Sequence, residues 1–173
     1  MAQTAPLAAV SIVGYRLVPP DQLLANPANP RRHPNAQREA LRASLRSLGW
    51  IAPVVQNTRT GHLIDGHARV EEALSAGAQV VPVIDVDLSP AQEALALATF
   101  DPITAMAALD REALDSLLRE VDTGEAALQA LLADVAAQAG IAPDFAPVGI
   151  DEQGRLDEKA QVQCPACGHA FTP

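Results

Sequence analysis

Residues 63–69, Leu-Ile-Asp-Gly-His-Ala-Arg, constrain the fold more than any other stretch of this chain. The apolar pair Leu63-Ile64 reads as strand, Gly66 as a turn, and Ala68–Ala76 as a helix that stops at Gly77. A strand that turns through glycine straight into a helix leaves the first helical N–H groups without intrahelical partners, at the positive end of the helix dipole. That arrangement suits an anion, above all a phosphate, and His67 and Arg69 stand where they add donors or charge. Taken alone, the same residues also fit a plain strand–turn–helix junction capped by Asp65.

The flanking pattern places this junction in a small domain. Residues 1–14 read as a loose leader, Tyr15–Val18 as a short strand and the Pro- and Asn-rich stretch 19–35 as an extended loop. Gln37–Leu48 is an amphipathic helix ended by Gly49, with Leu41, Leu45 and Leu48 as the expected buried stripe. On a neighbouring face Arg38, Arg42 and Arg46 recur every fourth residue, either as a solvated flank or as a basic ridge facing DNA or a nucleotide. Pro53–Asn57 and His62–Asp65 read as strands around a turn ending in Gly61, and Val80–Val86 as a strand covered on both sides. Ser89–Ala98, Leu109–Val121 and Glu125–Ala139 read as helices, with Asp110 and Asp122-Thr123 as caps and Gly140 as a stop. The expectation is an α+β domain over residues 15–100 and accessory helices over 101–140. A linker over 141–160 and a tail over 161–173 follow.

With 49% apolar but only 3% aromatic residues, the core must be built from Ala, Leu, Val and Ile. No run reaches the roughly 18–20 apolar residues of a membrane span. Ala5–Val13 has no Lys or Arg before it, so it is a poor signal peptide and the chain reads as cytoplasmic. The net charge of −9 is unevenly spread: residues 1–70 hold eight arginines and three acids, residues 71–173 four basic and eighteen acidic residues. Contact with DNA or a nucleotide is therefore expected in the basic first half, and the acidic helices are the surface for a protein partner.

The succession of Asn26-Pro27-Ala28-Asn29-Pro30-Arg31-Arg32, Gly49 to Pro53-Val54-Val55, and Asp65-Gly66-His67-Ala68-Arg69 resembles the N-terminal domain of the ParB/sulfiredoxin superfamily. The spelling D-G-H-x-R is most similar to its phage- and methylase-associated branch. The resemblance implies a mixed sheet with helices and a phosphate loop at Gly66, His67 and Arg69. It places Arg31 and Arg32 near a nucleotide, points to CTP with magnesium as the ligand, and leaves room for a homodimer. The loop departs from the G-E-R-R of partition proteins: His67 stands for the Glu and Ala68 for the first Arg. The family's E-N-L-Q-R segment falls at Phe100–Thr104, so Asp101 is the carboxylate left to assist a metal. Sulfiredoxin chemistry is excluded, since Asp65–Ala68 holds no cysteine.

Cys164, Cys167 and His169 have zinc-knuckle spacing but supply three of the four ligands a closed site needs. His33, His62, a second copy or another protein are the candidates for the fourth. Three functions follow. The first is a nucleotide- or phosphate-binding switch or adaptor in the metabolism of phage or mobile-element DNA. The second is a metal-dependent nuclease or weak CTPase-like NTPase using Asp65, His67 and Asp101. The third is a structural adaptor with a vestigial phosphate loop.

Overall fold

A computed structural model describes residues 10–141 and the strand residues 162–163 and 170–171. Two compact units divide the chain, Met1–Ile141 and Ala142–Pro173. In the first, strands β1 (Ile12–Val18), β2 (Val54–Asn57), β3 (Leu63–Asp65) and β4 (Val81–Val86) form one sheet in the order β1-β4-β2-β3. β1 runs antiparallel to β4 and β2 antiparallel to β3, whereas β2 and β4 are parallel. A parallel pair needs a crossover, supplied here by β3 and helix α2 (His67–Ser75). Helices α1 (Asn35–Leu48), α3 (Pro90–Ala105), α4 (Arg111–Glu120) and α5 (Ala126–Gln138) complete the mixed-sheet α+β architecture expected from the sequence.

Alternation along the strands turns Val18, Val54, Leu63, Val81 and Val83 to one face, where they meet Leu23 and the α2 residues Val70 and Ala73. Each such side chain stabilises by about 1.5–3 kcal/mol when fully buried. The core is aliphatic, and it fixes α2 directly behind the β3–Gly66 junction.

Four features differ from the sequence reading. β1 starts at Ile12, not Tyr15, because Ile12 still pairs with Val86 across an irregularity at Gly14. The buried residues of α1 are Ala40 and Ala43, while Leu48 is 61% exposed; small side chains mark the closest helix contact and the leucines border it. β4 is buried at Val81, Val83, Asp85 and Val86, but Pro82 and Ile84 are only half-buried. Finally, α3 runs through Pro102 to Ala105 and so crosses the domain boundary expected at residue 100.

Helices α4 and α5 contain no buried residue. Asp110 caps α4 by accepting from the Ala113 N–H at 3.0 Å, whereas α5 begins without a side-chain cap. No helix among the described residues is long and apolar enough to cross a membrane. In the second unit β5 (Val162–Gln163) pairs antiparallel with β6 (Ala170–Phe171). Cys164, Cys167 and His169 lie outside the described residues.

Candidate anion site at the start of helix α2

Gly66 is left-handed at φ 90°. A Cβ there would approach the Val54 Cβ to 2.8 Å and its Cγ1 more closely still. Only glycine allows β3 to turn this tightly against β2. The first helical residue follows at once, and no side chain caps α2. Asp65, the capping candidate, instead receives Arg69 Nη2 at 2.5 Å and Arg31 Nη1 at 3.3 Å. The amides that open α2 therefore remain a donor set at the positive end of the helix.

A cavity of about 180 Å3 adjoins this helix start, lined by Arg31, His33, Gln37, Leu41, Asp101 and residues 65–69. Whole small-molecule sites run to about 300–1,000 Å3, so this volume suits a phosphate group or short phosphate chain and not a complete nucleotide. A larger cavity of about 630 Å3 lies between α1 and α5. It is lined by Pro34, alanine, leucine, Gln37, Glu39, Ser44 and Asp134 and contains no cationic side chain, so it offers an anion no opposite charge.

Two buried donors on the smaller cavity's own side chains have no hydrogen-bond partner: Arg31 Nη2 and His67 Nδ1. His67 is only 6% exposed. Its Nε2 lies 3.2 Å from the Asn26 backbone nitrogen, and an amide N–H can only donate, so Nε2 accepts and a neutral ring carries its proton on Nδ1. Burial lowers the His67 pKa below its ordinary value, and the Arg31 charge lowers it further. The neutral tautomer with Nδ1–H is thus fixed. Leaving such a donor unpaired costs about 1–3 kcal/mol, and two on one small cavity mark a place where an acceptor belongs.

Asn26 ties this site to the sheet. Its Nδ2 donates to Glu93 Oε1 at 2.6 Å, and Glu93 also accepts from Thr60 Oγ1 at 2.8 Å and from Asn57 Nδ2. Burial alone would raise the Glu93 carboxyl, but the bonds from Asn57, Thr60 and Asn26 outweigh it and keep it below the ordinary range. Neither Glu93 nor the positioning role of Asn26 stood out in the sequence. Asn26 opens the N-P-x-x-P-R segment, and that was the available signal.

The expected site residues divide into those brought to the cavity and those kept from it. Gly66, His67, Arg31, Arg69, Asp65 and Asp101 all line it; Arg32 is exposed and does not. Arg69 is engaged internally, donating to Asp65 and, through Nη1, to the Ala52 carbonyl at 2.6 Å. Arg31 is paired as well, with Asp65 and Asp101, but it keeps one nitrogen, Nη2, without a partner. Asp101 approaches Arg31 Nε at 2.5 Å from α3. Both carboxylates of the enzyme reading face guanidinium groups, and no cluster of three or more His, Cys, Asp or Glu suited to a metal occurs among the described residues.

The arginines of α1 stay partly exposed but are each paired within the chain. Arg38 Nε and Arg42 Nε reach the two oxygens of buried Glu72 at 2.8 Å each, and Arg46 pairs with Glu125 of α5. The Arg38 and Arg42 bonds hold the Glu72 carboxyl below its ordinary range in spite of burial. With Arg16 on Asp85 and Arg59 on Asp87, the positive charge of the first half is largely neutralised within the chain. Among its eight arginines only Arg32 has no ion pair within the described residues.

The fold is ParB-like. It matches the C-terminally truncated chromosome-partitioning protein ParB from Caulobacter crescentus, complexed with CTP-γ-S, at a TM-score of 0.51 and 26% identity. That match covers 62% of this chain and 64% of that one. Two structures of a pNOB8-like ParB N-domain give TM-scores of 0.42 and 0.45 at 22% and 20% identity, covering 92% and 96% of this chain. The chain spans 56% of their length, so less than two-thirds of each of these structures is represented. No family model and no curated protein matches the chain.

Proposed function

We propose that this chain is a ParB-like phosphate- and nucleotide-binding protein that acts as a switch or adaptor in DNA metabolism, with phage or mobile-element DNA as its setting. The ligand is a nucleoside triphosphate with magnesium, its phosphates in the cavity and its nucleoside outside it, and CTP is the first candidate because the Caulobacter ParB in the matching structure carries a CTP analogue. One observation carries the reading. Arg31 Nη2 and His67 Nδ1 are buried, unpartnered donors on a cavity at the uncapped start of α2. Phosphate oxygens there would complete both donors and meet the helix dipole. When bound, magnesium supplies charge neutralisation on the phosphates. The chain's own residues seat the anion through Arg31, hold His67 in its donor tautomer through Asn26, and shape the turn through Gly66.

The neutralised first half argues against broad DNA binding by charge alone, so the DNA-associated role runs through the liganded state or through a partner of the acidic helices. For the tail the proposal is zinc held by Cys164, Cys167, His169 and a fourth ligand from elsewhere; it rests on their spacing, and elemental analysis for zinc tests it.

The test is a thermal-shift screen of the four nucleoside triphosphates with Mg2+. A ligand that binds only the folded chain at 100 times its Kd adds about 2.7 kcal/mol. One nucleotide should raise Tm for the wild type and for Arg32→Ala, and not for Arg31→Ala. No shift with any of the four, or a shift untouched by Arg31→Ala, contradicts the reading.

A further inference from the structure

We infer that Asp101 is an internal anion seated on Arg31, which a phosphate ligand must displace, so that filling the cavity and freeing the end of α3 are a single event. This rests on the phosphate-site reading above. Arg31 is contacted along two edges, by Asp101 on Nε at 2.5 Å and by Asp65 on Nη1 at 3.3 Å, while Nη2 is buried without a hydrogen-bond partner. The two carboxylates are not equivalent. Asp65 is held a second time by Arg69 at 2.5 Å. Asp101 has only the Arg31 ion pair among the described residues, and its side chain is 52% exposed.

The segment that carries Asp101 is correspondingly weakly attached. Residues 101–105, the last turn and a half of α3, are exposed throughout, and Phe100 and Ile103 present apolar surface. The link to Arg31 is the ion pair that ties this segment to the cavity. Arg31 and Arg69 face Asp65 and Asp101, so the cavity's formal side-chain charge is balanced before any ligand arrives. An incoming phosphate on Arg31 shares one guanidinium with two carboxylates, and like charges so close repel. Asp101, singly tethered and half in water, loses least by leaving. It therefore lowers ligand affinity in the resting chain and couples binding to the release of residues 101–105.

The test uses inorganic triphosphate in the presence of EDTA, so that no metal takes part. Calorimetry of the full chain should show Asp101→Asn binding about tenfold tighter than wild type, the scale of one charge-assisted contact. The gain should vanish in Asp101→Asn combined with Arg31→Ala. Amide exchange over 101–105 should speed up in the wild type when triphosphate is added, and be fast already in Asp101→Asn. Equal or weaker binding by Asp101→Asn, with binding still dependent on Arg31, overturns this inference and leaves the phosphate site standing. Absence of binding in the wild type and in Asp101→Asn alike overturns both.

Discussion

Helix α2 carries two buried polar side chains five residues apart, and they have opposite fates. Glu72, 2% exposed, has each carboxylate oxygen met by an arginine of α1. His67, equally hidden, keeps one ring nitrogen bonded and the other bare. The same helix thus satisfies a full charge in its body and leaves a neutral donor unsatisfied at its start. Poor packing does not explain the contrast, because Gly66, Ala68 and Val70 around His67 are all buried. The saturated cluster holds α1 against α2; the unsaturated one is the proposed place for a ligand.

The largest effect should come from the joint between the two. Gly66→Ala forces a side chain into a left-handed position, about 1–2 kcal/mol, and drives its Cβ into Val54, a further ~1–3 kcal/mol. Chemical denaturation should show a loss of about 2–5 kcal/mol; a loss under 1 kcal/mol would mean the joint relaxes freely. Next comes the saturated cluster. Arg38→Ala with Arg42→Ala strands Glu72 and should lower Tm well beyond either single change. Adding Glu72→Met should restore much of the loss, since an apolar side chain no longer needs the arginines. Failure to restore would mean that Glu72 was not the group left in difficulty.

His67 sharpens the comparison through pH. Its folded pKa lies below its ordinary value of 6.5, so the unfolded chain takes up the proton first and protonation favours unfolding. The stabilisation is complete above pH about 6.5 and is lost as pH falls from there through the lowered folded value. Between pH 7.5 and 5.5 the wild type should therefore lose more Tm than His67→Gln; parallel curves would show a freely protonated ring. The smallest effect is expected at the exposed Arg46–Glu125 pair. Arg46→Ala should change Tm within experimental scatter, because surface ion pairs contribute little.

The sequence showed the backbone more clearly than the partners. Apolar alternation and glycine stops located β2, β3, α1 and α2 to within two or three residues, because those signals are local. The N-P-x-x-P-R segment and the D-G-H-x-R loop brought Arg31, His67 and Gly66 forward as site residues, and the fold assembles them. What stayed hidden was which side chain answers which. Arg38 and Glu72 lie 34 residues apart, and Arg31 and Asp101 lie 70 apart. Helical periodicity assigns a residue to a face without naming what that face meets. For the same reason the α1 arginines read as either a solvated flank or a basic ridge, with nothing to name Glu72 and Glu125 as their partners. Arg69 read as the presented cation when Asp65 and Ala52 engage it. Glu93 was invisible because a lone glutamate in an alanine-rich helix looks solvated until three distant donors close on it.

The central claim is that the unpartnered nitrogens of His67 and Arg31 take up an anion. Nitrogen-15 NMR of the histidine rings during titration with inorganic triphosphate tests it most directly. The account predicts a protonated Nδ1 and an unprotonated Nε2 before ligand, then a shift of the Nδ1 resonance on binding that is absent in Arg31→Ala. A reversed tautomer, or a His67 ring that stays unchanged while ligand binds elsewhere, would contradict it.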